Sequence, residues 1–183
     1  DMVYVCYDNG AYMNTGIQRS SATPMYADTT TTPVGSQSVG KMQNRKDLAS
    51  ILADHDVPYV AQTTLTTDFK DIHRKSEKAI YTEGASFLNI MTPCPRGWRY
   101  EMSDVMKICK LAVETCYWPL FEVDHGKWIL SYEQKKKLPI EDFLREQGRF
   151  KHLFKKGNEH LIEQFQAEVD RRWEDLQFKC SRG

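Results

Sequence analysis

MVYVCYDNGAYMNTGIQRS, Met2 to Ser20, joins two patterns whose meeting point sets the fold. Met2 to Cys6 is an apolar run rich in β-branched and aromatic residues and predicts a strand. Tyr7 to Ser20 comes straight off it and is dense in oxygen ligands and tight-turn residues. A strand tip that opens into Asp8, Asn9 and Gly10 brings side-chain and backbone oxygens close together. Mg²⁺ bound to phosphates takes near-octahedral oxygen ligands of this kind, and the strand ends of open α/β sheets are where such ligands bind. For Asn9-Gly10 alone an ordinary Asn-Gly turn is the plainer reading. Asn14, Thr15, Gly16 and Gln18 follow with no room for a hairpin, so the run as a whole reads as a metal-diphosphate loop.

Outward from this loop, Thr15 to about Lys41 is rich in Thr, Ser, Gly and Pro and nearly free of large aliphatic residues. Connections of that length are usually functional or disordered. Leu48, Ile51 and Leu52 predict a short helix and Pro58 to Gln62 a strand. Phe69, Ile72, Ala79 and Ile80 predict a helix beginning near Thr67, and Ser86 to Met91 the next strand. From Ser103 to about Cys116 a helix places Val105, Ile108, Cys109 and Ala112 on one face, before a strand at Leu120 to Val123. The alternation predicts a parallel, doubly wound α/β sheet with every strand's carboxyl end on one edge. Asp8-Asn9 and Cys94 then fall just after strands, on the same side of the sheet. Asp124 to Lys127 reads as a turn into Trp128 to Tyr132, a terminal hairpin. Leu161, Phe165, Val169 and Trp173, with Ile162 and Leu176, mark a long amphipathic C-terminal helix that packs on its own domain or on a partner.

The chain has 183 residues, 40% hydrophobic and 27% charged, enough for a real core in a globular protein and with no membrane-spanning run. Lys plus Arg equals Asp plus Glu, 25 each, which argues against nucleic acid or acidic lipid as a partner. Lys135 to Lys137 and Lys155-Lys156 read as solvated surface, or as a docking patch for an acidic electron carrier. Five scattered cysteines, Cys6, Cys94, Cys109, Cys116 and Cys180, fit a reducing, cytoplasmic compartment better than a disulfide framework. Cys6, Cys109 and Cys116 read as core. None of the five histidines has a partner at zinc-ligand spacing. With no initiator methionine, and a strand beginning immediately, the chain reads as a C-terminal portion of something longer.

The loop resembles the end of the thiamine diphosphate motif of the 2-oxoacid:ferredoxin oxidoreductases, most closely the β subunits of the pyruvate type. The likeness continues through SATP (Ser21 to Pro24), TTTTPVG (Thr29 to Gly35), MTPCPRGW (Met91 to Trp98) and QGRFKHL (Gln147 to Leu153), and so spans most of the chain. One departure is Gly10, where that family commonly has an acidic residue. The resemblance implies a thiamine diphosphate-binding fold over residues 1–133 and a helical extension over 134–183. It implies Mg²⁺ held by Asn9 and by the Ala11 carbonyl, with Asp8 supporting and Tyr12 and Thr15 at the cofactor. An Asp of a Gly-Asp-Gly motif, absent from this sequence, completes the protein ligands.

Asn14 matches the position that reaches the thiazolium side, where an amide orients substrate or steadies developing charge. Cys94 matches the fourth ligand of a 4Fe-4S cluster whose other cysteines lie upstream, and Arg96 and Trp98 support that cluster or a subunit contact. Gln18, Arg19, Ser20 and Thr29 to Thr32 read either as solvated loop or as the lining of a route for coenzyme A. The implied activity is oxidative decarboxylation of a 2-oxoacid, pyruvate favoured, with acyl transfer to coenzyme A and electrons passed to ferredoxin. The implied partners are subunits of α, γ and δ type. Oxalate or a branched 2-oxoacid as substrate, and a non-catalytic assembly subunit of the same fold, are the alternatives.

Overall fold

Two central strands carry the architecture because their sequences are apolar enough to be covered on both faces. In the computed structural model, which describes residues 1–65 and 69–182, β4 (Tyr59–Thr64) is buried throughout and β5 (Ala85–Met91) nearly so. In chain order the elements are β1 (Met2–Asp8), a small ribbon of β2 (Val34–Gly35) and β3 (Ser38–Val39), α1 (Leu48–Ala53), β4, α2 (Lys70–Tyr81) and β5. There follow α3 (Pro95–Trp98), α4 (Val105–Glu114), β6 (Phe121–Asp124), β7 (Lys127–Leu130), α5 (Ile140–Arg145) and α6 (Glu159–Ser181). The expected start of α2 near Thr67 lies outside the described residues. No helix among them is long and apolar enough to cross a membrane.

The main sheet has the order β1-β5-β4-β6-β7, and β1, β5 and β4 are mutually parallel. The strand at the expected Leu120 to Val123 departs from the predicted direction: β6 runs antiparallel to β4, pairing Gln62 with Phe121 and Tyr59 with Asp124. The cause is where the chain enters it. Trp118 donates its indole N–H to the Thr63 carbonyl (2.8 Å), and Gln62 Nε2 donates to the Pro119 carbonyl (3.0 Å). Both bonds hold the entry to β6 at the carboxyl end of β4, so β6 runs back across the sheet. The turn Asp124 to Lys127 then closes the expected hairpin with β7.

The expected helix is present as α2, with Phe69 and Ile80 solvent-exposed and its buried positions at Ala79 and Lys75. Lys75 is sealed against β4 by bonds from Nζ to Asp71 Oδ2 and the Gln62 carbonyl, both 2.8 Å, and Asp71 accepts from Thr63 Oγ1 at 2.6 Å. Burial pulls the Lys75 ammonium down to about 8 against the opposing pull of Asp71. Nearby, buried Glu122 accepts from Tyr59, Arg74 and Lys78. Buried charges survive when each has such partners.

The stretch from Thr15 to Lys41 is fastened rather than loose. Tyr26 and Ala27 are buried, Tyr26 bonds Gln164 of α6, and Lys41 Nζ is enclosed by the carbonyls of Ser21, Thr23 and Asn44. The expected helix to Cys116 ends sooner, at Glu114, and Cys116 takes a left-handed backbone (φ 59°) in the core. Leu161, Phe165 and Val169 of α6 pack with Trp98, Phe143 and Phe150, while Leu176 joins Phe121 and Val60 on the sheet. Phe143 is fully buried, stacks on Tyr117 (4.7 Å between centroids) and meets Trp98 edge-on (6.2 Å). Phe143→Ala is expected to cost about 3–5 kcal/mol, read as a lower midpoint of denaturant unfolding with an unchanged slope.

Candidate functional site

The site begins where β1 stops. Parallel pairing sets Asp8 opposite Met91, and the Thr92 N–H donates to the Asp8 carbonyl (2.9 Å), so the residues after β1 and after β5 emerge side by side at the carboxyl edge. Past Asp8 the backbone turns through Gly10 at φ +75°, a left-handed conformation that glycine adopts without strain. Asp8 Oδ1 accepts the Gly10 N–H (2.9 Å) and Asn9 Oδ1 accepts the Ala11 N–H (3.3 Å), two side chains holding their own loop. A Cβ on Gly10 would stand 3.2 Å from Arg149 Nη1, so an arginine from far along the chain occupies the space that any side chain at this position would enter.

Beyond Ala11 the run does close on itself. Tyr12 and Gln18 exchange backbone bonds of 2.9 and 3.0 Å as an isolated antiparallel bridge, contrary to the expectation that no hairpin fits. Gly16 (φ 102°) and Ile17 (φ 60°) supply the left-handed backbone that so tight a closure needs. Thr15 Oγ1 bonds the Tyr12 carbonyl and Gln18 Oε1. Asn14 stands exposed at the tip and makes no hydrogen bond among the described residues. The threonine run lies behind: Thr30 Oγ1 donates to the Gly16 carbonyl (2.7 Å), and Thr31 Oγ1 accepts the Arg19 N–H (2.9 Å).

Cys94 caps the first turn of α3. Its Sγ accepts the Gly97 N–H at 3.5 Å, and proline at N1 suits the start of the helix. One turn on, the Trp98 indole N–H donates to the Asn9 carbonyl at 2.7 Å, so the cysteine segment is tied to the loop. Beyond the expected supporting role around Cys94 or at a subunit contact, the Trp98 indole holds the backbone of Asn9. Met13 of the loop seats on Gly97, where a Cβ would collide with its Sδ. Tyr100 completes the wall, its hydroxyl on the Pro93 carbonyl (3.0 Å), and burial followed by the charges of Cys109 and Cys94 pushes it up to about 12.

Cys6, Asp8, Asn9, Gly10 and Ala11 line a cleft of about 180 Å³ with Lys46, whose N–H is held by the Ser21 carbonyl. The loop carbonyls divide into committed and free. Thr92 takes that of Asp8 and Trp98 that of Asn9, whereas no described residue donates to that of Ala11. A free carbonyl two residues from an amide side chain in one loop suits a hard cation that takes oxygen ligands. Among the described residues no three His, Cys, Asp or Glu side chains gather as a metal site, so a metal here depends on that amide, that carbonyl and ligands from elsewhere. Lys46 and Arg149 escaped sequence reasoning: a lone lysine in a polar stretch and an arginine in a distant 3₁₀ turn carry no local signal. Gly97→Ala is expected to destabilise the protein by about 1–3 kcal/mol by expelling Met13, and the loss should shrink in a Met13→Ala background, measured as a double-mutant cycle by thermal unfolding.

Residues 1–90 match the family described as thiamine pyrophosphate enzyme, C-terminal TPP binding domain. The chain is 46% identical over 171 residues to the pyruvate synthase subunit PorB of Methanosarcina barkeri, covering 93% of this chain and 57% of that protein. It is 44% identical over 176 residues to PorB of Thermotoga maritima, covering 96% of this chain and 54% of that one. To the ketoisovalerate oxidoreductase subunit VorB of Pyrococcus furiosus it is 43% identical over 178 residues, covering 96% and 56%. The chain thus spans about half the length of the curated relatives it matches. On these likenesses residues 1–90 match a thiamine pyrophosphate enzyme domain, and the chain is similar over most of its length to PorB- and VorB-type subunits.

Proposed function

We infer that this chain holds the diphosphate end of thiamine diphosphate, through Mg²⁺, as part of a 2-oxoacid:ferredoxin oxidoreductase. The observation that most supports the reading is the uncommitted Ala11 carbonyl in a loop whose residues Asn9 and Ala11 both line the cleft at the carboxyl edge of the sheet. Asn9 Oδ1 exchanges its weak internal bond for the metal, and Ala11 offers its backbone oxygen. Asp8 keeps the Gly10 N–H and so the shape of the turn, while Tyr12 and Thr15 fix the next turn through the bridge to Gln18. Lys46 contributes positive charge where the diphosphate lies. Asn14, exposed and unbonded, orients the substrate or steadies developing charge.

When bound, thiamine diphosphate supplies the carbanion chemistry that decarboxylates a 2-oxoacid and releases electrons. Cys94 gives one thiolate to a 4Fe-4S cluster whose remaining ligands come from outside the described residues, and the Gly97 N–H to its sulfur is the kind of bond that tunes such a cluster. Other subunits, coenzyme A and ferredoxin complete the reaction. Pyruvate is the favoured substrate. A branched 2-oxoacid is the second reading, because the ketoisovalerate subunit VorB is nearly as similar as the pyruvate synthase subunits. In the assembled full-length enzyme, Asn9→Ala is expected to weaken Mg²⁺-dependent binding of thiamine diphosphate about tenfold or more, measured by titration calorimetry at several Mg²⁺ concentrations. Titrations identical to those of the unaltered enzyme would contradict the assignment.

A further inference from the structure

Arg149 is a buried cation that the roles assigned above leave unused. It lies in the 3₁₀ turn Gly148–Phe154 and is 2% exposed, directly beneath the loop that holds Asn9 and Ala11. Its guanidinium carbon stands 3.8 Å from the centre of the Trp98 ring and 4.9 Å from that of Phe150. Nε donates to Gln147 Oε1 (2.9 Å), while Nη2 is buried without an acceptor. Nη1 faces Gly10. The turn itself is pinned in place: the Gly148 N–H donates to the Arg99 carbonyl just past α3, and the Arg149 carbonyl accepts the Asp28 N–H.

Among the described residues no carboxylate forms an ion pair with Arg149. That is unlike every charge packed under α2, where Lys75 and Glu122 have close partners of opposite sign. A guanidinium taken out of water without a counter-charge is strongly unfavourable, so its retention calls for a compensating anion nearby. Burial draws the group down to about 10, which leaves it protonated at neutral pH, and Tyr117, Asp8, Cys94 and Tyr100 act on it electrostatically in the other direction. Asp8 and Cys94 are the residues from which the two sides of the site begin. Arg149 meets the loop at Gly10, which lines the cleft, and meets the Trp98 ring, whose N–H holds the Asn9 carbonyl.

Resting on the thiamine diphosphate reading above, we propose that Arg149 is a positioning residue for the diphosphate loop. It braces Trp98, whose N–H fixes the Asn9 carbonyl, and its fixed positive charge offsets the diphosphate bound on the far side of Gly10. Two consequences are separable. The brace depends on a flat group stacked on the indole, and the offset depends only on charge. One unit charge acting on an anion across roughly 10 Å at an effective dielectric near 20 changes affinity on the order of tenfold.

The test is titration of thiamine diphosphate with Mg²⁺ into the full-length assembled enzyme carrying Arg149→Met, Arg149→Lys or Trp98→Phe, with unfolding monitored alongside. The expected result is a loss of about tenfold or more in affinity for the methionine variant, substantial recovery for the lysine variant, and a several-fold loss for Trp98→Phe, which keeps a smaller aromatic ring and removes the N–H. Equal weakening by methionine and lysine would leave Arg149 as packing alone and overturn the charge role. Unchanged affinity in all three overturns the proposal while the cofactor reading stands. Absence of binding by the unaltered enzyme overturns both. If the methionine variant fails to fold, the lysine variant and Trp98→Phe still decide: near-full affinity with lysine and a loss with phenylalanine support the proposal, and the reverse pattern contradicts it.

Discussion

The parallel register of β1 against β5 is the constraint on which the site depends. Because Asp8 pairs with Met91, the two chains leave the sheet together, and the Thr92 N–H reaches the Asp8 carbonyl across the gap. A slip of one residue would turn every side chain of β1 to the other face. It would also separate Asn9 from Trp98, whose indole bond at 2.7 Å joins the oxygen-rich loop to the cysteine turn. Neither segment holds its shape alone. The loop relies on two Asx turns, and α3 is a single turn of helix; each is stiffened by the other and by Met13 seated on Gly97.

Charge is handled in two ways in this structure. Under α2, buried Lys75 and Glu122 are matched by Asp71, Arg74 and Lys78, and the network fastens the helix to the sheet. At the carboxyl edge Arg99 pairs with Asp28, but two cations have no such match among the described residues. Arg149 is buried without an ion pair, and Lys46 lines a cleft whose only acid is Asp8, itself bonded to Gly10. Lys41, drawn down to about 8 by burial and then by Arg19, Arg172 and Arg45, is itself held by carbonyls rather than carboxylates. An edge biased this way favours an anionic ligand.

Much of this was legible in the sequence, and what was not had a physical cause. Strands β1, β4 and β5 announced themselves by apolar runs bounded by turns, and the loop by its density of oxygen ligands. The face of α4 followed from spacing, since Ile108, Cys109 and Ala112 are all buried. The direction of β6 was not readable, because it is set by Trp118 and Gln62, whose bonds to Thr63 and Pro119 link residues far apart in the chain. The burial of Lys75 on α2 was not readable either, because it is made possible by Asp71 one turn away and the Gln62 carbonyl opposite. The Tyr12 to Gln18 bridge needed a left-handed Ile17, a conformation that β-branched residues rarely adopt and composition does not signal. Arg149 reaches Gly10 only through the tertiary packing of α3 against the 3₁₀ turn.

Mn²⁺ substitutes for Mg²⁺ at oxygen sites and is visible by anomalous scattering, so the metal-ligand assignment can be seen directly. Crystals of the full-length assembled enzyme with thiamine diphosphate and Mn²⁺ are expected to show an anomalous peak about 2.0–2.3 Å from Asn9 Oδ1 and the Ala11 carbonyl oxygen, with the diphosphate on its other side. A bound cofactor whose metal peak lies away from both atoms would contradict the assignment of the loop as the metal-diphosphate cradle.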